Sequence, residues 1–335
     1  MRDWIDEHRN IFIGIIAGVV SVVVFSVASV VLLHKKNIDE LSEPAVSVNA
    51  QEKTGEPSGE TQSVTGESQS QIESSDVTNI TPSVSEKESD SKTEPSTNSQ
   101  TKPVLTGVKS FTDGNKKVYY PAALEAETKQ YPVVVWANGT GCATDMYDGF
   151  LKKIAEGGYI VVADSSVMTA DGKAQIDSID YIIGKNSDTG SVFCGKVDTG
   201  KIGAAGHSQG GRSSVNAAQQ DRRIKCIVSI AGASSKEEAK GLKASALYLT
   251  GTADMVVVSS QWCKPSYDVS EGRAVYASLK GGVHTTCMTN PEKVSGYAVS
   301  WFDAYLKNDS ASKAKFQNGG ELSKDSAWQD FASKN

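Results

Sequence analysis

Ile202-Gly203-Ala204-Ala205-Gly206-His207-Ser208-Gln209-Gly210-Gly211 is the stretch whose reading decides this chain. Its first four residues are small and apolar and read as a buried strand, and Ser208 to Gln220 reads as a helix. Between them, Gly206-x-Ser208-x-Gly210 compresses a strand-to-helix turn around one serine. A serine on so tight a turn sits in strained backbone, and its neighbours must lack side chains that would clash. The turn lifts the hydroxyl above the sheet edge. It also points a helix N-terminus at the place where negative charge would develop on a reacting carbonyl.

Working outward, the same alternation repeats. Val133-Val134-Val135-Trp136 reads as a buried strand, Met146 to Ala155 as a helix ending at Gly157-Gly158, and Tyr159 to Ala163 as a strand. A helix over Ala174 to Ile183 precedes the serine segment. After it come strands at Ile224 to Ile230, Ala246 to Thr250 and Ala274 to Tyr276, then a closing helix over Lys293 to Leu306. Short apolar strands alternating with helices predict an α/β domain with a mostly parallel sheet covered on both faces.

Serine is a poor nucleophile unless a base takes its proton. Four histidines allow an elimination. His8 and His34 lie far upstream, and His207 adjoins Ser208 on the turn, where its side chain is expected to point elsewhere. His284, in Gly281-Gly282-Val283-His284-Thr285, is left as the base. The orienting acid falls between nucleophile and base in chain order. Asp254 follows the strand Ala246 to Thr250 directly, whereas Asp268 and Glu271 read as surface loop. Two backbone N–H groups are expected to hold the oxyanion: that of Gln209 and one from Asn138-Gly139-Thr140-Gly141-Cys142, with Thr140 ahead of Gly141. This glycine-rich loop lacks the Gly-Lys-Ser/Thr ending of a phosphate loop.

The 335 residues are used unevenly. No Phe, Tyr or Trp occurs between Phe25 and Phe111, so a packed core belongs to residues 103–335. Ile11 to Leu33 is an apolar run that, at about 1.5 Å per residue, spans a roughly 30 Å hydrocarbon core. The run continues past the small residues Ser26-Val27-Ala28, which favours an uncleaved signal-anchor over a cleaved signal peptide. Arg2 and Arg9 balance Lys35 and Lys36, so flanking charge alone does not orient it. The Ser-, Thr- and Glu-rich stretch over 34–102 reads as a disordered stalk. That places residues 1–10 in the cytoplasm and the domain outside a single-pass cell membrane. A net charge of -6 without a basic block argues against a nucleic-acid partner. No Cys/His cluster suggests a metal. Of five cysteines, Cys226 reads as buried in a strand, and the other four as loop residues available for disulfides, with Cys263–Cys287 and Cys142–Cys194 as the expected pairs.

From about Thr106 to Lys313 the chain resembles the chlorophyllase- and dienelactone-hydrolase-like branch of the α/β-hydrolases, which includes bacterial cutinase-like polyester hydrolases. The resemblance rests on Pro132 to Trp136, Asn138-Gly139-Thr140-Gly141, Gly206 to Gly211, Gly251-Thr252-Ala253-Asp254, Gly282-Val283-His284 and the tail Ala298 to Leu306. It implies an α/β-hydrolase fold and a serine esterase working through Ser208, Asp254 and His284 without a cofactor. Cys263 and Cys287, near the acid and base loops, are similar to cysteines of the cutinase-like members. Those members carry an aromatic residue where Thr140 stands and another after Ser229-Ile230-Ala231-Gly232, and this chain has neither. The expected substrate is therefore a small or carbohydrate-linked acyl ester. The other readings are a non-catalytic binding module on a hydrolase scaffold and a serine peptidase.

Overall fold

The apolar runs read from the sequence form the centre of one nine-stranded sheet in the computed structural model, which describes residues 106–334. In chain order the first elements are β1 (Val108–Asp113), β2 (Lys116–Pro121), β3 (Tyr131–Ala137), α1 (Asp148–Glu156), β4 (Ile160–Asp164), α2 (Lys173–Ser187), β5 (Val197–His207) and α3 (Gln209–Gln220). Then follow β6 (Ile224–Ile230), α4 (Lys236–Ala239), β7 (Ser245–Gly251), α5 (Cys263–Val269), β8 (Ala274–Leu279), α6 (Thr286–Thr289), α7 (Glu292–Leu306), α8 (Ser310–Lys315), α9 (Glu321–Lys324) and β9 (Trp328–Lys334). The expected membrane span over 11–33 and the stalk over 34–102 lie outside the described residues. Among the described residues, no helix is long and apolar enough to cross a membrane.

The strand order is β1-β2-β4-β3-β5-β6-β7-β8-β9. Neighbours from β4 through β8 run parallel, while β1, β2 and β9 attach antiparallel at the two edges. Every residue of β3, β4 and β8 is buried, as strands covered on both faces require. Alternate residues feed two cores. Val134 and Trp136 join Phe150, Leu151 and Ile154 of α1 and Trp301 and Phe302 of α7 on one face. Val133 and Val135 join Ile179 and Ile182 of α2 and Val215 of α3 on the other. This helix–sheet–helix layering is compatible with the α/β-hydrolase fold. The strand order reverses around β3, so loops leaving the carboxyl ends of β3, β5, β7 and β8 converge there.

The expected disulfides are absent: all five cysteines are free. Cys263 and Cys287 also do not lie in loops but in the helices α5 and α6. Cys263 belongs to one core and Cys287 to the other, with the sheet between them. Cys142 packs on the Cys287 side, whereas Cys194 adjoins Phe193 of the opposite core. Cysteines bridged by a disulfide have Cα atoms within about 7 Å, which a sheet placed between them prevents. Cys226 is buried and free, as expected.

Candidate active site

Ser208 sits between the last residue of β5 and the first of α3, with φ 56° and ψ -119°. That left-handed conformation is costly for a residue with a Cβ and persists only where the surroundings enforce it. Here the Ser208 N–H donates to the Ile230 carbonyl at 2.9 Å, and its own carbonyl accepts from Gly211, Arg212 and Ala233. The flanking glycines are demanded by crowding: a Cβ on Gly206 would strike the carbonyl of Gly210, and one on Gly210 that of Ala137.

The acid and base come from the next two crossovers. Asp254 follows β7, is buried, and its Oδ2 accepts from His284 Nδ1 at 2.9 Å. Its Oδ1 accepts from the Val256 and Val257 N–H groups, each at 2.9 Å. Burial pushes the Asp254 carboxyl up, but the His284 ring and the two N–H donors outweigh it and hold it below the usual carboxylate range. His284 follows β8, with its side chain 15% exposed. No hydrogen bond joins the Ser208 hydroxyl to the His284 ring among the described residues. Such contacts tighten on substrate binding. The two loops are nonetheless joined one residue away, because His207 Nε2 donates to the His284 carbonyl at 2.8 Å.

The N–H of Gln209 opens α3 and that of Thr140 lies in the loop after β3. Neither is spent on a hydrogen bond among the described residues. Gly141, the second choice, has its N–H committed to the Val167 carbonyl at 3.1 Å. Asn138 holds this loop in place. Its buried side chain accepts from Trp136 Nε1 at 2.9 Å and donates to the Asp164 carbonyl at 2.9 Å and to Thr144 Oγ1 at 3.0 Å.

Three features were not legible in the sequence. The Gln209 side chain links the loops after β3 and β4, donating to Thr140 Oγ1 at 2.8 Å while its Oε1 accepts from the Thr169 N–H. His207 turns into the core, and burial, then the neighbouring His284 charge, lower its pKa to about 3. Among the described residues, five of the seven exposed large hydrophobic side chains, Met146, Val167, Met168, Met255 and Val283, stand on the segments that follow β3, β4, β7 and β8. No group of three or more His, Cys, Asp or Glu that could hold a metal occurs among the described residues.

A mostly parallel α/β sheet with a serine-bearing elbow at its carboxyl edge, faced by a hydrogen-bonded Asp–His pair, defines the class of protein. Within that class the chain belongs to the PET hydrolase-like family, whose model matches residues 74–331. It is similar to a bis(hydroxyethyl) terephthalate hydrolase of Streptomyces coelicolor, at 21% identity over 58% of this chain and 63% of the relative. It is also similar to cutinase 2 of Thermobifida cellulosilytica, at 24% identity over 58% of this chain and 75% of the relative. Cutinase cut1 of Thermobifida fusca matches at 24% identity over 58% of this chain and 61% of the relative. The chain thus spans about 63% of the length of the Streptomyces relative.

Proposed function

We propose that this chain is a serine carboxylester hydrolase of the α/β-hydrolase type that works through an acyl-enzyme. The observation that carries the reading is the Asp254–His284 bond of 2.9 Å beside a serine held at φ 56°. In the proposed reaction the Ser208 hydroxyl attacks the ester carbonyl carbon and His284 Nε2 takes its proton. Asp254 keeps the proton of Nδ1 in place and stabilises the imidazolium. The N–H groups of Gln209 and Thr140 receive the oxyanion. Collapse of the tetrahedral intermediate breaks the bond to the alcohol oxygen, which leaves with the proton from His284. Water then attacks the acyl-enzyme by the same route in reverse, releasing the acid and restoring Ser208.

The surface beside the two proposed oxyanion donors is polar, because the Gln209 side chain donates to Thr140 Oγ1 there. That supports a small or carbohydrate-linked acyl ester. A second reading, a short apolar or aromatic diester, is favoured by the collar of Met and Val side chains and by the substrate that the Streptomyces relative's name states.

The test is hydrolysis of p-nitrophenyl esters from acetate to decanoate and of bis(hydroxyethyl) terephthalate, with Ser208→Ala alongside. Ser208→Ala is expected to lower the rate by on the order of 10⁴-fold or more while the domain stays folded. Turnover confined to short esters supports the first reading, and turnover of the diester the second. A folded wild-type protein inert toward every ester would leave the non-catalytic binding module. Comparable rates on a matched amide would make it a peptidase.

A further inference from the structure

Tyr147 and His207 are both buried, at 0% and 1% exposure, and neither takes part in the proposed reaction. Burying a phenol and an imidazole together is costly unless every polar atom is paired, and here each is. The Gly139 N–H donates to Tyr147 Oη at 3.0 Å. Tyr147 Oη lies 3.0 Å from His207 Nδ1, and His207 Nε2 lies 2.8 Å from the His284 carbonyl.

The chemistry of the partners fixes the protons. A main-chain carbonyl can only accept, so His207 Nε2 carries the hydrogen. In the neutral ring Nδ1 is then bare and accepts, so the Tyr147 hydroxyl donates to it and receives the Gly139 N–H on its lone pair. His207 therefore has no nitrogen left for a substrate. Its ring packs against that of His284, with centroids 4.6 Å apart and planes at 48°.

The ends of this relay are what give it meaning. Gly139 precedes Thr140, one proposed oxyanion donor. His207 precedes Ser208, and the carbonyl at the far end belongs to His284. We propose that Tyr147 and His207 are positioning residues whose single hydrogen-bond relay fixes the oxyanion loop, the nucleophile turn and the base loop relative to one another. The proposal rests on the hydrolase reading above. A misplacement of about 1 Å among such groups can cost on the order of 10²-fold in rate. The relay guards against that by tying three crossovers through two side chains instead of three independent loop conformations.

The full chain is assayed on p-nitrophenyl acetate and labelled with ¹⁵N-histidine for NMR. The wild type is expected to show His207 as the Nε2–H tautomer. Tyr147→Phe keeps the ring but removes the hydroxyl, so the ¹⁵N resonance of His207 Nδ1 is expected to shift as it loses its donor, while the His284 carbonyl keeps the hydrogen on Nε2. In that variant kcat is expected to fall roughly 10- to 100-fold while KM stays within about two-fold. His207→Gln retains a donor toward the His284 carbonyl and is expected to recover activity relative to His207→Leu. A merely structural role would move neither the Nδ1 resonance nor kcat independently of KM. An Nδ1–H tautomer in an active wild type overturns the relay, as does a folded Tyr147→Phe with unchanged kcat, or a His207→Gln no better than His207→Leu. A wild type inert toward esters sinks the hydrolase reading instead, while the tautomer still decides whether the relay exists.

Discussion

Ser208 holds φ 56° and ψ -119°, a conformation that costs a residue with a Cβ about 1–3 kcal/mol. The strain belongs to the backbone and not to the hydroxyl, which separates two substitutions. Ser208→Ala keeps the Cβ and keeps the strain. Ser208→Gly relieves it, less the roughly 0.5–1 kcal/mol that glycine's freedom in the unfolded chain takes back. Ser208→Gly is therefore expected to raise Tm by about 2–4 °C over Ser208→Ala, both being inactive. Calorimetry of the two variants decides it, and a lower Tm for the glycine variant would contradict the strain. His207 offers a second residue-scale test. Its pKa is about 3 in the fold, because of burial and then the facing His284 charge, opposed by the Asp254 carboxylate. The unfolded side chain titrates near 6.5. The unfolded state thus binds the proton first, and stability declines as pH falls from about 6.5 toward 3. Asp254, held below its unfolded value, keeps its contribution until more acidic pH, so the two effects separate. Between pH 6.5 and 5 the His207 contribution is roughly 1–2 kcal/mol. Urea unfolding at pH 5, 6 and 8 measures it, and His207→Gln is expected to flatten that dependence.

At the scale of elements, what the sequence disclosed is what burial on both faces imposes. Runs such as Ile160 to Ala163 in β4 are continuously apolar, and the type of such strands was readable with ends misjudged by only a few residues elsewhere. The edges were not readable. β1 reads Val-Lys-Ser-Phe-Thr-Asp and is mostly exposed, and β9 buries only Trp328 while most of its other residues are half-buried, so neither carries an apolar run. One signal was available: Asp113 pairs with Lys116 across Gly114-Asn115, a two-residue hairpin turn of a favoured composition. The missed hairpin serves the site. It delivers Lys116 to a buried ion pair with Asp164 at the end of β4, where Asp164 Oδ1 also accepts from the Ser166 N–H at 2.7 Å. That loop carries Val167, whose carbonyl takes the Gly141 N–H. The pairing of Asp254 with His284 was legible because chain order and a scarcity of histidines leave few choices. The roles of Gln209 and His207 were not, because a side chain's partners depend on which crossovers meet. The disulfide expectation failed for the same reason: sequence gives spacing along the chain, not which face of the sheet a cysteine occupies.

Across the whole molecule, apolar exposure is concentrated where the loops converge. Met168 is 69% exposed and Met255 86%, one in the segment after β4 and the other in the segment after β7 that begins with Asp254. Large apolar side chains left in water together mark a surface that something apolar covers. The exposed methionines are apolar and the Gln209–Thr140 bridge is polar, so the two make separable demands on a substrate. In the proposed reading the reacting acyl group lies by the polar bridge, and the more distant part of a longer substrate rests on the methionines. Replacing Met168 and Met255 together by Ser removes apolar contact without touching Ser208, Asp254 or His284. At roughly 25 cal/mol per Å² of contact, losing both is worth on the order of 1–2 kcal/mol for a substrate long enough to reach them. The double variant is expected to raise KM for p-nitrophenyl decanoate about 5- to 20-fold and to leave kcat/KM for the acetate within about two-fold. Steady-state kinetics on the two esters checks this. An equal loss on both would mean the methionines support the loops themselves, and no loss on either would mean that substrate never rests on them.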